Sequence, residues 1–461
     1  MQTCHDQYDA AVIGSADGGA PLAMEFARAG FRTLLLHSVP GEPAANAPAS
    51  RSLMTAASMA RLARRARNFG VETGNIAVDL GKAQMRRQAF IGGQERAVTQ
   101  GQAATSGLSE ATGQVRFGGT GTLRLESATA APKEIRASRI FINTGVLPVK
   151  PELAGLEAIG SLDGRSALEI DELPDHLLVL GGSYAGLELA QMFRRFGSRV
   201  SIVERHGQLL SREDRDVAAV VAEMFREDGM EVFLETEALE VAGTTSGVRL
   251  RVRTPSGEHV LNGSRLLAVA SQKPNTEGLD LGAAGVEVDS QGYIKVNERL
   301  ETSVPGIYAL GGVNGGPAFP NVAYDDLRIV RANVIDRTLP AAAGRLCPYT
   351  AFTDPQLARI GMTETQARSR GRKVKVAKLP MRRVARAVEL NETQGLIKVV
   401  IDGASGRIVG AAVLGVDSGE IMAMLQIAMM ANMPYSSLRA GTMAHPTLAS
   451  TLENLFATLD G

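Results

Sequence analysis

Cysteine is nearly absent from the 461-residue sequence, which contains only Cys4 and Cys347, one near each end. No CxxC, CxxxxC or Cys/His cluster occurs, and this excludes a structural zinc site, an iron–sulfur cluster and a local redox pair. The six histidines are scattered along the chain, which argues against a histidine-rich metal site. We therefore expect no metal ligands and no chemistry by paired thiols.

An excess of charge, a long apolar run and a leader peptide are also missing. The sequence has 49 Lys and Arg against 49 Asp and Glu, so no global field points to nucleic acid or an anionic membrane. No apolar run approaches the roughly 18 residues that span a bilayer. Residues 1–14 (MQTCHDQYDAAVIG) lack the basic flank and apolar block of a secretory signal. We expect a soluble cytoplasmic protein that neither binds nucleic acid nor enters a membrane.

The chain contains an internal repeat. Residues 9–37 and residues 176–204 each predict a buried strand, a glycine-rich turn, a helix and a second strand. In both copies 23 residues separate the first glycine of the turn from the end of the second strand. Two equally spaced β-α-β units indicate two nucleotide-binding domains of one design. The length leaves room for two or three domains of roughly 100–200 residues each.

The segments around the two units give weaker signals. Residues 85–148, rich in Gly, Thr and Ser, predict small β-structure followed by a strand that returns to the first sheet. Residues 245–262 alternate as in a β-hairpin. Residues 421–433 predict a helix with five methionines, a pattern more typical of a core or a subunit interface than of a cofactor site.

The first turn, residues 14–19 (GSADGG), has the form of a phosphate-binding turn with one substitution. Such a turn needs small residues because it is tight and because its backbone must approach a pyrophosphate at the helix N-terminus. Gly14 and Gly19 meet this need, whereas Ala16 adds a methyl group where the middle glycine is expected. His37 stands where an acid that holds the ribose hydroxyls is expected. A plain strand-to-helix turn is the alternative.

The second turn, residues 181–186 (GGSYAG), is the better match. Gly181 and Gly186 are kept, and Ser183, which replaces the middle glycine, is small and can donate to a phosphate. Glu204 stands where the ribose-binding acid belongs. A carboxylate there accepts hydrogen bonds from the ribose and repels a 2′-phosphate, so we expect NADH to be preferred over NADPH. The alternative is an exposed glutamate at a strand end.

Seven further motifs, spread over nearly the whole chain, carry a resemblance to a known family. They are residues 142–148 (INTGVLP), 274–276 (PNT), 302–311 (TSVPGIYALG), 316–319 (GPAF), 323–326 (AYDD), 352–355 (FTDP) and 444–447 (AHPT). The chain thereby resembles the class I pyridine nucleotide–disulfide oxidoreductases, in particular mercuric reductase and dihydrolipoamide dehydrogenase. The resemblance implies FAD in the first domain, held in part by Thr144, Gly145, Gly311 and Gly312, and a nicotinamide dinucleotide in the second.

The implied architecture is α/β, with two Rossmann-like dinucleotide-binding domains and a C-terminal α+β dimerisation domain. Residues 1–150 and 265–338 are expected to form a discontinuous FAD-binding domain, with the NAD-binding domain, residues 151–264, inserted in it. Residues 339–461 are expected to form the dimerisation domain. We expect a homodimer, because the family completes its site across the subunit boundary.

Four catalytic residues follow from the resemblance by position. Tyr184 matches the lid of the nicotinamide pocket beside the flavin. Glu188 matches the acid of a Lys–Glu ion pair under the flavin N5 atom. Arg51 lies near the position of that lysine and would keep its charge with a different geometry. His445 matches the histidine that acts as acid and base on the partner subunit's dithiol.

The sequence departs from the family at the residues that define its chemistry. The paired cysteines should fall within residues 41–51 (GEPAANAPASR), which contain none. Ser450 replaces the glutamate that orients the histidine, so a catalytic and a purely structural role for His445 both remain open. At the family's Gly-Arg pair before residues 274–276, this chain has Ser271 and Gln272.

The FAD contacts are weakened in the same way. Gly312 replaces an aspartate that contacts the ribityl and phosphate groups of the flavin, in addition to the changes at Ala16 and His37. Each charged acceptor lost from a buried hydrogen bond costs roughly 1.5–3 kcal/mol, so FAD affinity would fall by several powers of ten. The sequence therefore leaves FAD occupancy open.

Three functions are weighed. The leading hypothesis is an FAD-dependent oxidoreductase that passes electrons from NADH through the flavin to a small non-disulfide acceptor such as a quinone, a dye, a metal ion or oxygen. The alternative is a degenerate, non-catalytic homologue that keeps the scaffold and binds a nucleotide or a protein partner. A third possibility is a pocket that serves an unrelated small molecule, with His445 as a simple acid and base.

Overall fold

The computed structural model describes residues 6–15, 18–37, 46–127, 131–269, 271–317, 319–338, 342 and 344–460. In chain order the strands are β1 (Asp6–Ile13), β2 (Thr33–His37), β3 (Leu108–Thr112), β4 (Gln114–Gly119), β5 (Thr122–Glu126), β6 (Lys133–Ile142), β7 (Val146–Pro148), β8 (His176–Leu180), β9 (Arg199–Val203), β10 (Glu231–Phe233), β11 (Glu237–Thr244), β12 (Gly247–Thr254), β13 (Gly257–Gly263), β14 (Arg265–Ala268), β15 (Gln272–Pro274), β16 (Ile307–Ala309), β17 (Tyr349–Ala351), β18 (Gln356–Gly361), β19 (Val374–Pro380), β20 (Leu396–Asp402) and β21 (Ile408–Gly415). The helices are α1 (Gly19–Arg28), α2 (Asn46–Arg65), α3 (Leu80–Ala103), α4 (Tyr184–Phe196), α5 (Arg215–Glu227), α6 (Leu281–Ala284), α7 (Pro320–Arg331), α8 (Glu364–Ser369), α9 (Ala385–Glu389), α10 (Ser418–Met430), α11 (Tyr435–Ala440) and α12 (Thr451–Ala457).

The chain divides into two compact units. The first unit consists of Met1–Ala49, Arg87–Val149 and Ser271–Arg345. The second unit consists of Ser50–Arg86, Lys150–Ala270 and Leu346–Gly461. The division into three domains that the resemblance implies stays a prediction. In the described part of the chain, no helix is both long enough and apolar enough to cross a membrane.

The first unit is built on a sheet with the strand order β3-β2-β1-β6-β5-β4, to which β16 is added beside β6. β1 pairs in parallel with β2 on one side and with β6 on the other. Residues 10–13 of β1 are apolar and fully buried, as expected for a parallel strand that is covered on both faces. Because the strand order reverses at β1, its carboxyl end lies at a topological switch point, where sheets of this kind bind ligands.

One prediction from the sequence is wrong. Small β-structure is expected from residue 85 onward, but α3 continues to Ala103, and β3, β4 and β5 follow it. The glycines at positions 92, 93 and 101 suggest strands and turns, yet the remaining residues of this segment are mostly Ala, Gln, Arg and other good helix formers. Here the summed helix propensity outweighs three glycines.

The second unit contains three sheets. The parallel sheet has the order β10-β9-β8-β14, and β8 and β9 are the two strands of the second repeat. A three-stranded sheet, β11-β12-β13, includes the hairpin expected over residues 245–262, with β12 and β13 antiparallel. The last sheet, β17-β18-β21-β20-β19, is antiparallel throughout, and the methionine-rich helix α10 packs on β21. The predicted fold class, two Rossmann-like domains followed by an α+β domain, is confirmed.

Candidate functional site

The turn between β1 and α1 is sterically reserved for glycine. Gly14 has φ +97°, and a Cβ atom there would collide with the carbonyl group of Asn143. A Cβ on Gly19 would collide with the carbonyl oxygen of Gly14. α1 has Gly18 as its N-cap, which carries no side chain to compete for the first N–H groups of the helix. Such a cradle fits a pyrophosphate, although Ala16 itself lies outside the described residues.

His37 ends β2 and is paired with an acid that the sequence did not point to. Its Nε2 atom lies 3.0 Å from Oε2 of Glu110, which comes from the neighbouring strand β3. Both side chains are partly exposed, at 26% for His37 and 39% for Glu110. A carboxylate is therefore present at the end of β2 even though the residue at that position is a histidine.

The other expected FAD residues lie at the carboxyl end of β6 and after β16. Thr144 is buried and donates a 2.7 Å hydrogen bond to the carbonyl of Asn275, and the backbone N–H of Asn275 donates to the carbonyl of Gly145. Gly311 and Gly312 open a short 3-10 turn, Gly311–Asn314. The N–H of Gly311 donates a 2.7 Å hydrogen bond to the fully buried carboxylate of Asp326, which also forms an ion pair with Arg345.

The first unit thus retains part of what FAD requires. The turn and the helix N-terminus fit its pyrophosphate, and the Glu110–His37 pair offers an acceptor for its ribose. The aspartate missing at Gly312 has a buried acid nearby, Asp326, whose carboxylate binds the N–H of Gly311 and the guanidinium of Arg345.

The second turn, between β8 and α4, is equally constrained. Gly181 has φ +98°, and a Cβ on Gly186 would lie 2.8 Å from the carbonyl oxygen of Gly181. Ser183 is the N-cap of α4, where its Oγ atom accepts a 3.3 Å hydrogen bond from the N–H of Gly186. These residues fit a second dinucleotide, with the serine serving both the helix and the turn.

Glu204, directly after β9, is buried and already engaged. Its Oε2 atom accepts a 2.6 Å hydrogen bond from the N–H of Gly182. Its Oε1 atom accepts hydrogen bonds from the N–H of His206 at 2.8 Å and contacts Nδ1 of the same histidine at 2.5 Å. The carboxylate is therefore fixed against the glycine turn, and the half-exposed ring of His206, which the sequence reasoning missed, covers one side of it.

Glu188, on α4, is a partly buried acid whose pKa is raised. Burial raises the pKa of Glu188 to about 7, against the opposing effects of a hydrogen bond and of the positive charge of Arg51. The hydrogen bond, 2.6 Å long, comes from the backbone N–H of Phe352. The guanidinium group of Arg51 lies over the ring of Phe352, 4.3 Å from its centre. Among the described residues no ion pair joins Arg51 to Glu188. Instead, both contact Phe352, Arg51 through the ring and Glu188 through the backbone N–H.

Tyr184 is the first residue of α4 and its hydroxyl group is held by two partners. It lies 2.9 Å from Oε1 of Glu213 and 2.7 Å from the hydroxyl oxygen of Tyr349. Burial, reinforced by the negative charge of Glu213, raises the pKa of both phenols. Neither Glu213 nor Tyr349 lies near Tyr184 in the sequence, and no motif identified them.

His445 is exposed and has a neutral neighbour. Oγ of Ser450 lies 3.4 Å from Nδ1 of His445, and the serine hydroxyl also donates to the carbonyl of Thr447. The segment expected to hold the family's cysteines is described only from Asn46 onward, and Cys4 lies outside the described residues. Across the described ranges, no group of three or more His, Cys, Asp or Glu residues could hold a metal ion.

Comparison with known proteins decides the family. The sequence profile described as pyridine nucleotide-disulphide oxidoreductase matches residues 8–326, and the profile of its dimerisation domain matches residues 347–456. The chain belongs to the pyridine nucleotide–disulfide oxidoreductase family. The two matches confirm the resemblance seen in the sequence. The family uses FAD together with NADH or NADPH.

Three relatives illustrate the similarity. The probable pyridine nucleotide-disulfide oxidoreductase RclA of Escherichia coli is 32% identical over 455 residues, which cover 98% of this chain and 99% of the relative. The mercuric reductase of Streptomyces lividans is 30% identical, with coverage of 98% and 96%. The dihydrolipoyl dehydrogenase of Thermus scotoductus is 30% identical, with coverage of 96% for both chains.

A solved structure agrees with this assignment. The Cu(II) complex of the HOCl-induced flavoprotein disulfide reductase RclA from Escherichia coli superposes with a TM-score of 0.87 at 30% identity. The match covers 98% of this chain and all of the RclA chain. The family's fold is therefore retained over the full length, although only two cysteines are present in the sequence.

Proposed function

We propose that this chain is an FAD-dependent oxidoreductase that takes electrons from NADH and passes them to a small acceptor other than a disulfide. The observation that carries the proposal is a complete second nucleotide turn, with Glu204 fixed beside it, in a chain whose two cysteines stand far apart in sequence. The turn and its acid support binding of a nicotinamide dinucleotide, and the lack of a cysteine pair supports an acceptor other than a disulfide.

NADH is the proposed electron donor. The carboxylate of Glu204 is held against the turn by Gly182 and His206, where it can accept hydrogen bonds from the adenosine ribose of NADH. The additional phosphate of NADPH would meet this buried negative charge. Glu204 would therefore favour NADH by hydrogen bonds to its ribose and disfavour NADPH by repulsion of its extra phosphate.

FAD would be held by the turn at Gly14 and Gly19, with the Glu110–His37 pair as the proposed ribose contact. A bound flavin would supply the chemistry that accepts two electrons from NADH and releases them to an acceptor. Tyr184 would cover the nicotinamide pocket. Glu188 would hold or release a proton near neutral pH. Arg51 supplies a positive charge that favours the ionised form of Glu188.

Without a cysteine pair, the acceptor has to be reduced without a protein dithiol. Quinones, dyes, oxygen and metal ions meet this requirement. The Cu(II) complex of the Escherichia coli relative makes a metal ion a natural member of the test panel. We further propose a homodimer, supported by the matched dimerisation profile and by the exposed Ile427 and Met430 on α10.

The proposal is tested by the visible spectrum of the purified protein, followed by anaerobic addition of NADH. We expect flavin absorption bands that NADH bleaches, and reoxidation by a quinone, a dye or Cu(II), with no turnover of dihydrolipoamide or of an aromatic disulfide. Rapid turnover with a dithiol or disulfide would contradict the non-disulfide part. A flavin that NADPH reduces faster than NADH would contradict the coenzyme assignment.

A second candidate, a non-catalytic homologue, is favoured by the contact of His445, whose Nδ1 atom lies 3.4 Å from the neutral hydroxyl of Ser450 where the family has a glutamate. A colourless protein that fails to retain added FAD, yet still binds NADH, would support this candidate.

A further inference from the structure

The hydroxyl group of Tyr184 ends a buried chain of hydrogen bonds that starts at an ion pair. The side chain of Glu213 is completely buried and that of Arg359 is 4% exposed. Nε of Arg359 donates a 2.6 Å hydrogen bond to Oε2 of Glu213. The carboxylate that pairs with this guanidinium presents its other oxygen, Oε1, as a hydrogen-bond acceptor.

Two phenols share that second oxygen. The hydroxyl of Tyr349 donates to Oε1 of Glu213 at 2.6 Å, and the hydroxyl of Tyr184 lies within hydrogen-bond distance of both. The two hydroxyl groups and Oε1 of Glu213 thus make three mutual contacts, while the two phenols have one proton each to donate. Each hydroxyl therefore helps to position the other. The two rings also pack edge to face, with centres 5.2 Å apart and planes at 71°.

The partners of Tyr184 come from three separate segments. Glu213 precedes α5, Tyr349 begins β17 and Arg359 lies on β18. The turn at Gly181 and the capping of α4 by Ser183 need none of them. Among the described residues, no side-chain hydrogen bond joins Glu213, Tyr349 or Arg359 to the phosphate-binding turn, and their side chains meet the nucleotide site through Tyr184.

We propose that Glu213, Tyr349 and Arg359 form a latch that holds Tyr184 over the nicotinamide pocket. The inference rests on the proposed function, in which Tyr184 is the lid of that pocket. A lid has to move when the nicotinamide ring enters, and this movement breaks the hydrogen bonds to Glu213 and Tyr349. The three residues are positioning residues, because they act on the nucleotide only through Tyr184.

The test compares two probes on the full-length, FAD-loaded protein. NAD+ carries the nicotinamide ring that displaces the lid, whereas ADP-ribose occupies the same turn without it. We expect Tyr349→Phe to tighten NAD+ binding about fivefold, the factor that corresponds to roughly 1 kcal/mol for one hydrogen bond. ADP-ribose binding should stay unchanged. Both dissociation constants can be measured by isothermal titration calorimetry.

Double variants separate a latch from a general structural role. In the Tyr184→Phe background, Tyr349→Phe should have no further effect on NAD+ affinity, because the lid has already lost its hydroxyl group. Tyr435→Phe is the matched control: this half-buried tyrosine packs on Phe456, away from the network, and should leave both affinities unchanged. Equal shifts for NAD+ and ADP-ribose, weaker NAD+ binding or full additivity would overturn the latch.

The outcome can be told apart from failure of the proposed function. If NADH does not reduce the flavin, the oxidoreductase proposal fails, yet the ratio of NAD+ to ADP-ribose affinity still reports on the latch. If NADH reduces the flavin but this ratio is the same in all variants, the latch is wrong and the oxidoreductase proposal stands. Glu213→Gln, which keeps an oxygen acceptor but removes the charge, provides a second variant and should tighten NAD+ binding as well.

Discussion

The backbone N–H of Phe352 donates a 2.6 Å hydrogen bond to the carboxylate of Glu188, which is partly buried on α4. This bond favours the ionised acid, but burial outweighs it and raises the pKa to about 7. The side chain therefore changes its charge near neutral pH, as the proton exchange assigned to it in the proposed function requires.

This raised pKa predicts how stability depends on pH. Because the folded-state pKa lies above the ordinary value of 4.5, Glu188 favours folding fully below about pH 4.5, and this contribution is lost as the pH rises through 7. Relative to the wild type, Glu188→Gln should gain stability between pH 5 and pH 8, by at most about 3 kcal/mol. Urea unfolding at both pH values measures this. The prediction is contradicted if the free energy of unfolding depends on pH in the same way in the wild type and in Glu188→Gln. An equal gain in the exposed control Glu223→Gln would also contradict it.

The positive charge of Arg51 lowers the pKa of Glu188 and so opposes the effect of burial. Its guanidinium lies over the ring of Phe352. Arg51→Met should therefore shift the pH dependence of flavin reduction upward, whereas Arg51→Lys keeps the charge and should shift it less. Stopped-flow reduction by NADH over a pH series measures both. Equal shifts in the two variants would attribute the effect to stacking on Phe352 instead of charge.

Glu204 is predicted to decide between the two coenzymes. Glu204→Gln keeps an oxygen acceptor at the second turn but removes the negative charge that the extra phosphate of NADPH would meet. We expect the ratio of kcat/KM for NADH to that for NADPH to fall at least tenfold, which corresponds to about 1.4 kcal/mol. Glu240→Gln, an exposed acid on β11, serves as the control. An unchanged ratio would mean that contacts other than this charge select the coenzyme.

Glu110 is predicted to support FAD binding from the neighbouring strand. Loss of a charged acceptor costs roughly 1.5–3 kcal/mol, so Glu110→Gln should weaken FAD at least tenfold. Fluorescence titration of flavin-depleted protein gives the dissociation constant without any turnover. Glu126→Gln, at the exposed end of β5, is the matched control. If Glu110→Gln binds FAD as the wild type does, the pair with His37 is only a surface contact between strands.

The features that the sequence predicted correctly are local ones. Gly14 and Gly181 adopt φ angles of +97° and +98°, and the turn of six residues alone shows that glycine is required there. The same holds for the strands of both repeats, whose apolar runs and spacing are visible without any knowledge of distant segments. Local patterns fixed the two nucleotide turns and, through the repeat, the fold class.

The partners of the site residues could not be predicted in this way. Glu110 follows His37 by 73 residues, Phe352 follows Glu188 by 164 and Tyr349 follows Tyr184 by 165. Each pair depends on which strands and helices become neighbours, and the sequence pattern of one segment does not specify its neighbour's side chain. The sequence of β3, LSEAT, contains no signal that Glu110 meets His37.

A buried lysine provides the last prediction. Lys398 on β20 is 2% exposed and lies within 3.0 Å of Asp214, Asp216 and Glu364. Burial alone would raise the pKa of Asp214, but hydrogen bonds from the N–H groups of Thr365 and Glu364 and from Lys398 lower it to about 2. The stabilisation is therefore present above the ordinary value of 3.8 and is lost as the pH falls toward 2.

Lys398→Met should destabilise the protein by about 3–5 kcal/mol at pH 7, because it leaves the buried carboxylate of Asp214 without its counter-charge. Lys378→Met is the matched control: this lysine is 48% exposed and its one ion pair within the described residues is with Asp216, so its loss should cost less than about 1 kcal/mol. The deficit of Lys398→Met should shrink as the pH falls and the acids become protonated. Thermal unfolding midpoints at pH 3 and pH 7 measure both effects, and equal losses in the two lysine variants would mean that burial of the charge does not matter.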